Sequence, residues 1–162
     1  MKFEFAPIGT IHSPFSEPED MPIQPTGAEG YAGTVEVFEG FRAGLVDLDG
    51  FSHILLLYVF HYSRGFDLRV VPFLDSRQHG VFATRAPRRP NPIGLSVVRL
   101  ERIEHGVLQV SNIDILDGTP LLDIKPYVPA FDAPDQVRSG WLEKTGGEVL
   151  KRKADSRFRE KD

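Results

Sequence analysis

Proline and glycine cut this chain into pieces too short for a helical bundle. Thirteen Pro and fifteen Gly are spread along its 162 residues; each Pro removes a backbone donor and each Gly admits turn conformations closed to other residues. Between them lie runs rich in β-branched, aromatic and Leu side chains: Phe5 to His12, Gly33 to Phe38, Phe51 to Tyr62, Gly80 to Thr84, Leu95 to Ile103 and Val107 to Ile113. These predict short strands joined by turns. Glu104-His105-Gly106 predicts a tight hairpin pairing the last two antiparallel. The run Phe51 to Tyr62 is apolar on both alternating faces, so a central strand covered on both sides is expected. The spacing of Phe41, Leu45 and Leu48 predicts a short helix over Glu39 to Val46, and a second is expected over Asp135 to Glu143. The fold class is therefore mainly all-β, a small barrel or sandwich with short peripheral helices.

A chain this long, 41% hydrophobic, buries enough surface for one core. One domain is expected over residues 1–145. The charged stretch EVLKRKADSRFREKD has little apolar surface to bury and predicts a tail over 146–162 that frays or forms an exposed helix. No window reaches the length of a membrane span, and the N-terminus lacks the pattern of a signal peptide. With no Cys, disulfides and thiolate chemistry are excluded, and a soluble cytoplasmic protein is expected.

The net charge of −4 hides an asymmetry. From Phe51 to Arg99 seven Arg stand against Asp67 and Asp75, whereas in the first fifty residues Lys2 and Arg42 face nine carboxylates. A polyanion would approach the Arg-rich centre. Arg without Lys there suits planar phosphate or carboxylate contacts, although a solvated loop has the same composition.

Most familiar chemistries find no support. His53 and His61 lie eight residues apart on one predicted strand, roughly 27 Å if straight, too far to share a metal; no metal is expected. No GxSxG elbow is present, nor GxGxxG or GxxxxGK[ST]. Gly27, Gly30 and Gly33 precede a strand and read as turn residues.

Two segments stand out. In ATRAPRRPNPIGLS, Ala83 to Ser96, Pro87, Pro90 and Pro92 stiffen a loop that carries Arg88, Arg89 and Asn91, and Gly94 permits close approach of a backbone or ligand. Such a frame lowers the entropic cost of gripping a ligand, and it also describes a structural surface loop. In LDGTPLLDIKPYVPAFD, Leu116 to Asp132, Asp123, Lys125 and Tyr127 alternate along an extended stretch and share a face. A carboxylate, an ammonium and a phenol side by side suit proton transfer, and equally an exposed face with a salt bridge.

With the opening IGTIHSPF, these two segments resemble the TsaA-like (TrmO, YaeB) family of tRNA methyltransferases over roughly Phe5 to Gly140. The resemblance implies a β-barrel, S-adenosylmethionine as cofactor, a homodimer, and tRNA as partner, methylated on N6 of threonylcarbamoyl-adenosine beside the anticodon. It implies a donor site built from Phe82, Ala83, Thr84, Arg85, Arg89, Asn91, Gly94, Leu95, Asp117 and Leu122, with Arg85 and Arg89 facing the donor's carboxylate. Asp123 is the first candidate for general base and Asp117 the second; Lys125 and Tyr127 would orient the base or the threonyl carboxylate. Either Asp is alternatively a ligand for ribose hydroxyls. Arg64, Arg69, Arg77 and Arg88 are assigned to tRNA phosphates. Two-domain bacterial members carry a further C-terminal domain, unlike the basic tail here, which leaves the acceptor open. Two other readings compete: a non-catalytic domain that binds S-adenosylmethionine or RNA, and a hydrolase or lyase acting on a small polar metabolite.

Overall fold

The structure, a computed structural model, describes residues 1–19, 21–22 and 28–144. Among the described residues eight strands follow in order: β1 (Gly9–His12), β2 (Ala32–Val37), β3 (His53–Val59), β4 (Arg69–Val70), β5 (His79–Gly80), β6 (Ile93–Glu104), β7 (Val107–Ser111) and β8 (Thr119–Pro126). Six of them close into a barrel in the order β1-β2-β7-β6-β3-β8, every pairing antiparallel, while β4 and β5 form a separate ribbon. Closure removes the unpaired edges that a sheet would expose.

Alternation along each strand fills the interior. Ile11, Val35, Val37, Ile54, Leu56, Tyr58, Val98, Leu100, Leu108, Val110 and Leu121 point inward and are buried. Six strands leave a lumen narrow enough for side chains to fill. The expectation that β3 is covered on both faces is met only in part: Leu55, Leu57 and Val59 point outward and are half-buried. Across from them on β6 stand Val97, Leu95 and Ile93. Leu95 and Ile93 are exposed, so an apolar stripe runs along the outside of the barrel.

The β6–β7 hairpin turns at His105 and Gly106, with φ of 52° and 83°. Positive φ at both central residues is what a type I′ turn requires, so the Gly signal marked the turn correctly. Gly30 also takes a positive φ in the turn before β2; Gly27 lies outside the described residues.

Three expectations need correction. Gly80 to Thr84 is not a strand: after β5 the chain tightens into a 3-10 turn at Val81–Ala83. Glu39–Leu45 is likewise 3-10, with no fully buried residue; Gly40 and Gly44 lower its helical propensity, and so few residues cannot offset the cost of nucleating a helix. In Asp135 to Glu143 the helical part is a 3-10 segment over Gly140–Lys144, because Gln136 and Gly140 take positive φ. One turn of helix, α1 (Pro129–Asp132), starts with Pro at its first turn. The predicted tail, 146–162, lies outside the described residues.

Candidate functional site

Where β1 and β3 end and β6 and β8 begin, the barrel opens into a cleft of about 930 Å³. Its walls are aromatic: Tyr58, Phe60, Tyr62, Phe73 and Phe82. Arg85, Arg89 and Asn91 reach it from the proline-rich loop, His61 from beyond β3, and Asp114 from the segment between β7 and β8. An apolar concavity with a few converging polar groups is the usual form of a small-molecule site, and this volume is within the usual range.

The proline-rich loop is tied down along its length. Ser63 Oγ donates to the Pro87 carbonyl at 3.1 Å. Local turns link Arg89 N to Pro87 O and Ile93 N to Asn91 O, and Phe60 N donates to Pro92 O at 2.8 Å. Arg89 Nη1 donates to Thr84 O, 3.3 Å away. Thr84 Oγ1 in turn donates to Val81 O at 2.8 Å. Outside the cleft, Trp141 Nε1 donates to Ala83 O at 2.8 Å and its ring stacks on His79 with centroids 4.5 Å apart. The segment carrying Phe82 and Arg85 is thus clamped from its outer side.

The cleft floor holds a polar chain that the sequence reading missed. Ser96 Oγ donates to Asp114 Oδ1 at 2.6 Å. Because that proton is committed, the Tyr58 hydroxyl, 3.0 Å from Ser96 Oγ, is the donor in the second bond. Burial pushes the Asp114 carboxyl up to about 6, against the Ser96 bond and the charge of Arg85. Burial, with Asp114's charge added, pushes the Tyr58 phenol up as well. His61 moves the other way: burial, helped by Arg64, holds its imidazole below the usual value. One signal for the chain was available, a carboxylate between two apolar residues in Ile113-Asp114-Ile115, all three buried.

Of the residues assigned to the donor, Phe82, Arg85, Arg89, Asn91, Gly94 and Leu95 line the cleft. Ala83 and Thr84 hold that segment in place through their backbone and hydroxyl. Asp117 sits elsewhere, accepting from Ser13 N at 3.1 Å and lying 3.2 Å from His12 Nδ1, so it pins the end of β1. Leu122 is the bulged residue of β8, where the pairing steps from Leu57↔Asp123 to Tyr58↔Leu121. Asp123 and Lys125 lie outward on β8, opposite Leu57 and Leu55, and pair with each other at 2.8 Å. Tyr127 packs edge-on against His53, 6.4 Å between centroids. None of these last three lines the cleft.

The four arginines assigned to phosphate divide. Arg69 on β4 and Arg77 before β5 are exposed. Arg64 caps its own loop, donating to His61 O at 3.0 Å. Arg88 is half-buried, with Nε 3.2 Å from Asp67 Oδ2. Nε makes no hydrogen bond, so that contact is an ion pair with poor donor geometry. Among the described residues no group of three or more His, Asp or Glu is gathered as for a metal.

Comparison with known proteins adds the family. The chain is 56% identical over 154 residues to a protein of Pyrococcus abyssi named a probable S-adenosyl-L-methionine-binding protein, covering 95% of this chain and 84% of that one. It is 37% identical over 138 residues to the tRNA (adenine(37)-N6)-methyltransferase of Homo sapiens, covering 81% of this chain but 31% of the human protein. The crystal structure of TrmO from Pseudomonas aeruginosa superposes with a TM-score of 0.74 at 45% identity, over 87% of this chain and 63% of that one. Relative to these last two proteins the chain spans less than two thirds of their length. Residues 10–133 match the model described as the tRNA-methyltransferase O N-terminal domain. With the barrel, the cleft and the proline-rich loop in the same chain, that match places it in the tRNA-methyltransferase O N-terminal domain family.

Proposed function

We propose that the cleft binds S-adenosylmethionine and that the chain transfers its methyl group to N6 of an adenosine in tRNA, specifically threonylcarbamoyl-adenosine beside the anticodon. The observation that carries this reading is a preformed aromatic cleft framed by a loop whose Arg89 is already fixed on Thr84 O. The residues fit the donor. Aromatic walls suit a purine, Arg85 and Arg89 suit a carboxylate, and Asn91 offers a hydrogen-bonding amide. When bound, S-adenosylmethionine supplies an electrophilic methyl on a sulfonium. The chain's part is to hold donor and nitrogen in line, an effect worth up to about 7–11 kcal/mol for well-oriented reactants. The names of the human relative and the Pseudomonas structure support tRNA as the acceptor, and work on tRNA accords with a cytoplasmic protein. Among the described residues no helix is long and apolar enough to cross a membrane.

The same reading includes a homodimer. The outer stripe of Leu55, Leu57, Val59, Ile93, Leu95 and Val97 is apolar surface on a barrel whose core is already complete, and it runs into the cleft through Val59, Ile93 and Leu95. A second copy seated there would wall the cleft. Asp123, Lys125 and Tyr127 flank this face and contact the acceptor.

A non-catalytic binding domain is the second reading, favoured by the name of the Pyrococcus relative, which states binding alone. Calorimetric titration with S-adenosylmethionine, followed by incubation of labelled donor with total tRNA, separates the two. Binding with transfer is expected; binding without transfer on any RNA supports the second reading.

A further inference from the structure

The expected base, Asp123, sits outside the barrel in an ion pair with Lys125, whereas the cleft has a carboxylate of its own. Asp114 is 8% exposed, lines the cleft, and is held by a directed chain from Tyr58 through Ser96. Buried carboxylates cost stability unless something offsets them, and two strands of the barrel supply the groups that hold this one. Tyr58 comes from β3, Ser96 from β6, and Asp114 from the segment that enters β8. The charged and titratable groups that act on it are Tyr58 on β3 and Arg85 after the Val81–Ala83 turn; Glu17, His61, Tyr62 and Arg89 also line the cleft.

We propose that Asp114 is the proton acceptor for the nitrogen being methylated, with Ser96 and Tyr58 as positioning residues that fix its carboxylate. The inference rests on the methyltransferase reading. The acceptor nitrogen of a ureido-substituted adenine has its lone pair delocalised, so it needs to lose its proton as it attacks. The balance is complete within the cleft. A nitrogen–carbon bond forms, the carbon–sulfur bond breaks with its electron pair passing to sulfur, and the N–H proton moves to the carboxylate. The neutral acid then returns the proton to solvent. A carboxyl raised to about 6 is still ionised near pH 7 and is a stronger base than an ordinary one, which is the compromise general-base catalysis favours. One donor, Ser96 Oγ, itself oriented by the Tyr58 hydroxyl, holds Asp114 Oδ1 and fixes the carboxylate at the cleft. His61 is the rival within the cleft, bonded to Thr119 Oγ1 at 3.3 Å and to the Val59 backbone, but burial holds its imidazole below the usual value and so makes it a weaker base than an ordinary histidine.

The test compares wild type, Asp114→Asn, Ser96→Ala, His61→Gln and Asp123→Asn on threonylcarbamoylated tRNA at saturating donor, as kcat against pH. Wild-type kcat should rise with pH through a single ionisation near 6. Asp114→Asn should lower kcat by about 10²–10⁴ and abolish that ionisation while binding donor with unchanged affinity. Ser96→Ala should keep the ionisation but move it upward, since a hydrogen bond to the charged form is lost. A carbon-detected titration of the Asp114 carboxyl in the donor-free chain gives a readout independent of turnover and should show a midpoint near 6, raised in Ser96→Ala. If Asp114→Asn retains the wild-type pH profile, or if the ionisation disappears in His61→Gln or Asp123→Asn instead, the assignment is overturned. Loss of donor affinity in Asp114→Asn with the ionisation intact also overturns it. A wild-type chain that binds donor but methylates no tRNA overturns the methyltransferase reading and this inference together.

Discussion

Gly94 lies directly under the ring of Tyr58, its cross-strand partner on β3: a Cβ added at Gly94 would fall closer than 3.0 Å to three ring carbons. The close approach that the sequence suggested for Gly94 is therefore made by a side chain of the protein itself. The ring lies over the glycine and directs its hydroxyl to Ser96.

Gly94→Ala should push the Tyr58 ring aside. Overpacking of this kind costs about 1–3 kcal/mol, and the Tyr58–Ser96 bond should go with it. Urea denaturation reports the first effect and the Asp114 titration the second; an unchanged midpoint in both would mean that the ring has room to move.

Asp114 should leave a mark on stability as a function of pH. Its folded-state carboxyl is raised from 3.8 to about 6, so the folded protein binds the proton more tightly than the unfolded chain. The stabilisation from the protonated form is complete below about 3.8 and lost as pH rises through about 6. The shift corresponds to about 3 kcal/mol. In the difference between wild type and Asp114→Asn, other carboxylates cancel, and wild type should lose stability relative to the variant across that window. A flat difference curve would mean that the carboxyl titrates normally.

Much of the barrel was legible because its strands are rich in β-branched, aromatic and Leu residues bounded by Gly or Pro, and because its hairpin turns on Gly106. The side that a strand presents was less so. Leu121 faces inward, and simple alternation would turn Asp123 and Lys125 inward too. The bulge at Leu122 reverses the parity and puts them outside. A bulge leaves no residue signature at a Leu, so the sequence showed that the two share a face without showing which face. The proline-rich loop was readable because Pro fixes its own backbone, and six of the ten donor residues expected from the resemblance do line the cleft. Asp114 went unnoticed for the opposite reason: one carboxylate in a buried apolar stretch acquires meaning only when Ser96 and Tyr58, distant in sequence, are brought beside it.

Trp141 should matter to the cleft without entering it. Its indole N–H holds Ala83 O and its ring covers His79. Trp141→Ala removes both contacts from the segment that carries Phe82 and Arg85. Donor affinity measured by calorimetry should fall several-fold, in line with a loss of about 1 kcal/mol for one such hydrogen bond, while the pH midpoint of Asp114 stays put.

For tRNA, Arg69 and Arg88 should behave differently. Arg69→Ala removes an exposed charge and should reduce the slope of log affinity against log salt by about 0.7–0.9 for one lost phosphate contact. Arg88→Ala breaks the contact with Asp67 and should cost folding stability more than salt dependence. Equal slopes for Arg69→Ala and wild type would remove Arg69 from the tRNA interface.

Methyl transfer to tRNA can be read by mass spectrometry of nucleosides from tRNA incubated with the chain and S-adenosylmethionine. Two tRNA pools are compared, with and without the threonylcarbamoyl group on the adenosine beside the anticodon. A gain of one methyl on threonylcarbamoyl-adenosine is expected, absent from the unmodified pool and from reactions without donor. No methylated nucleoside in either pool, with donor demonstrably bound, would contradict it.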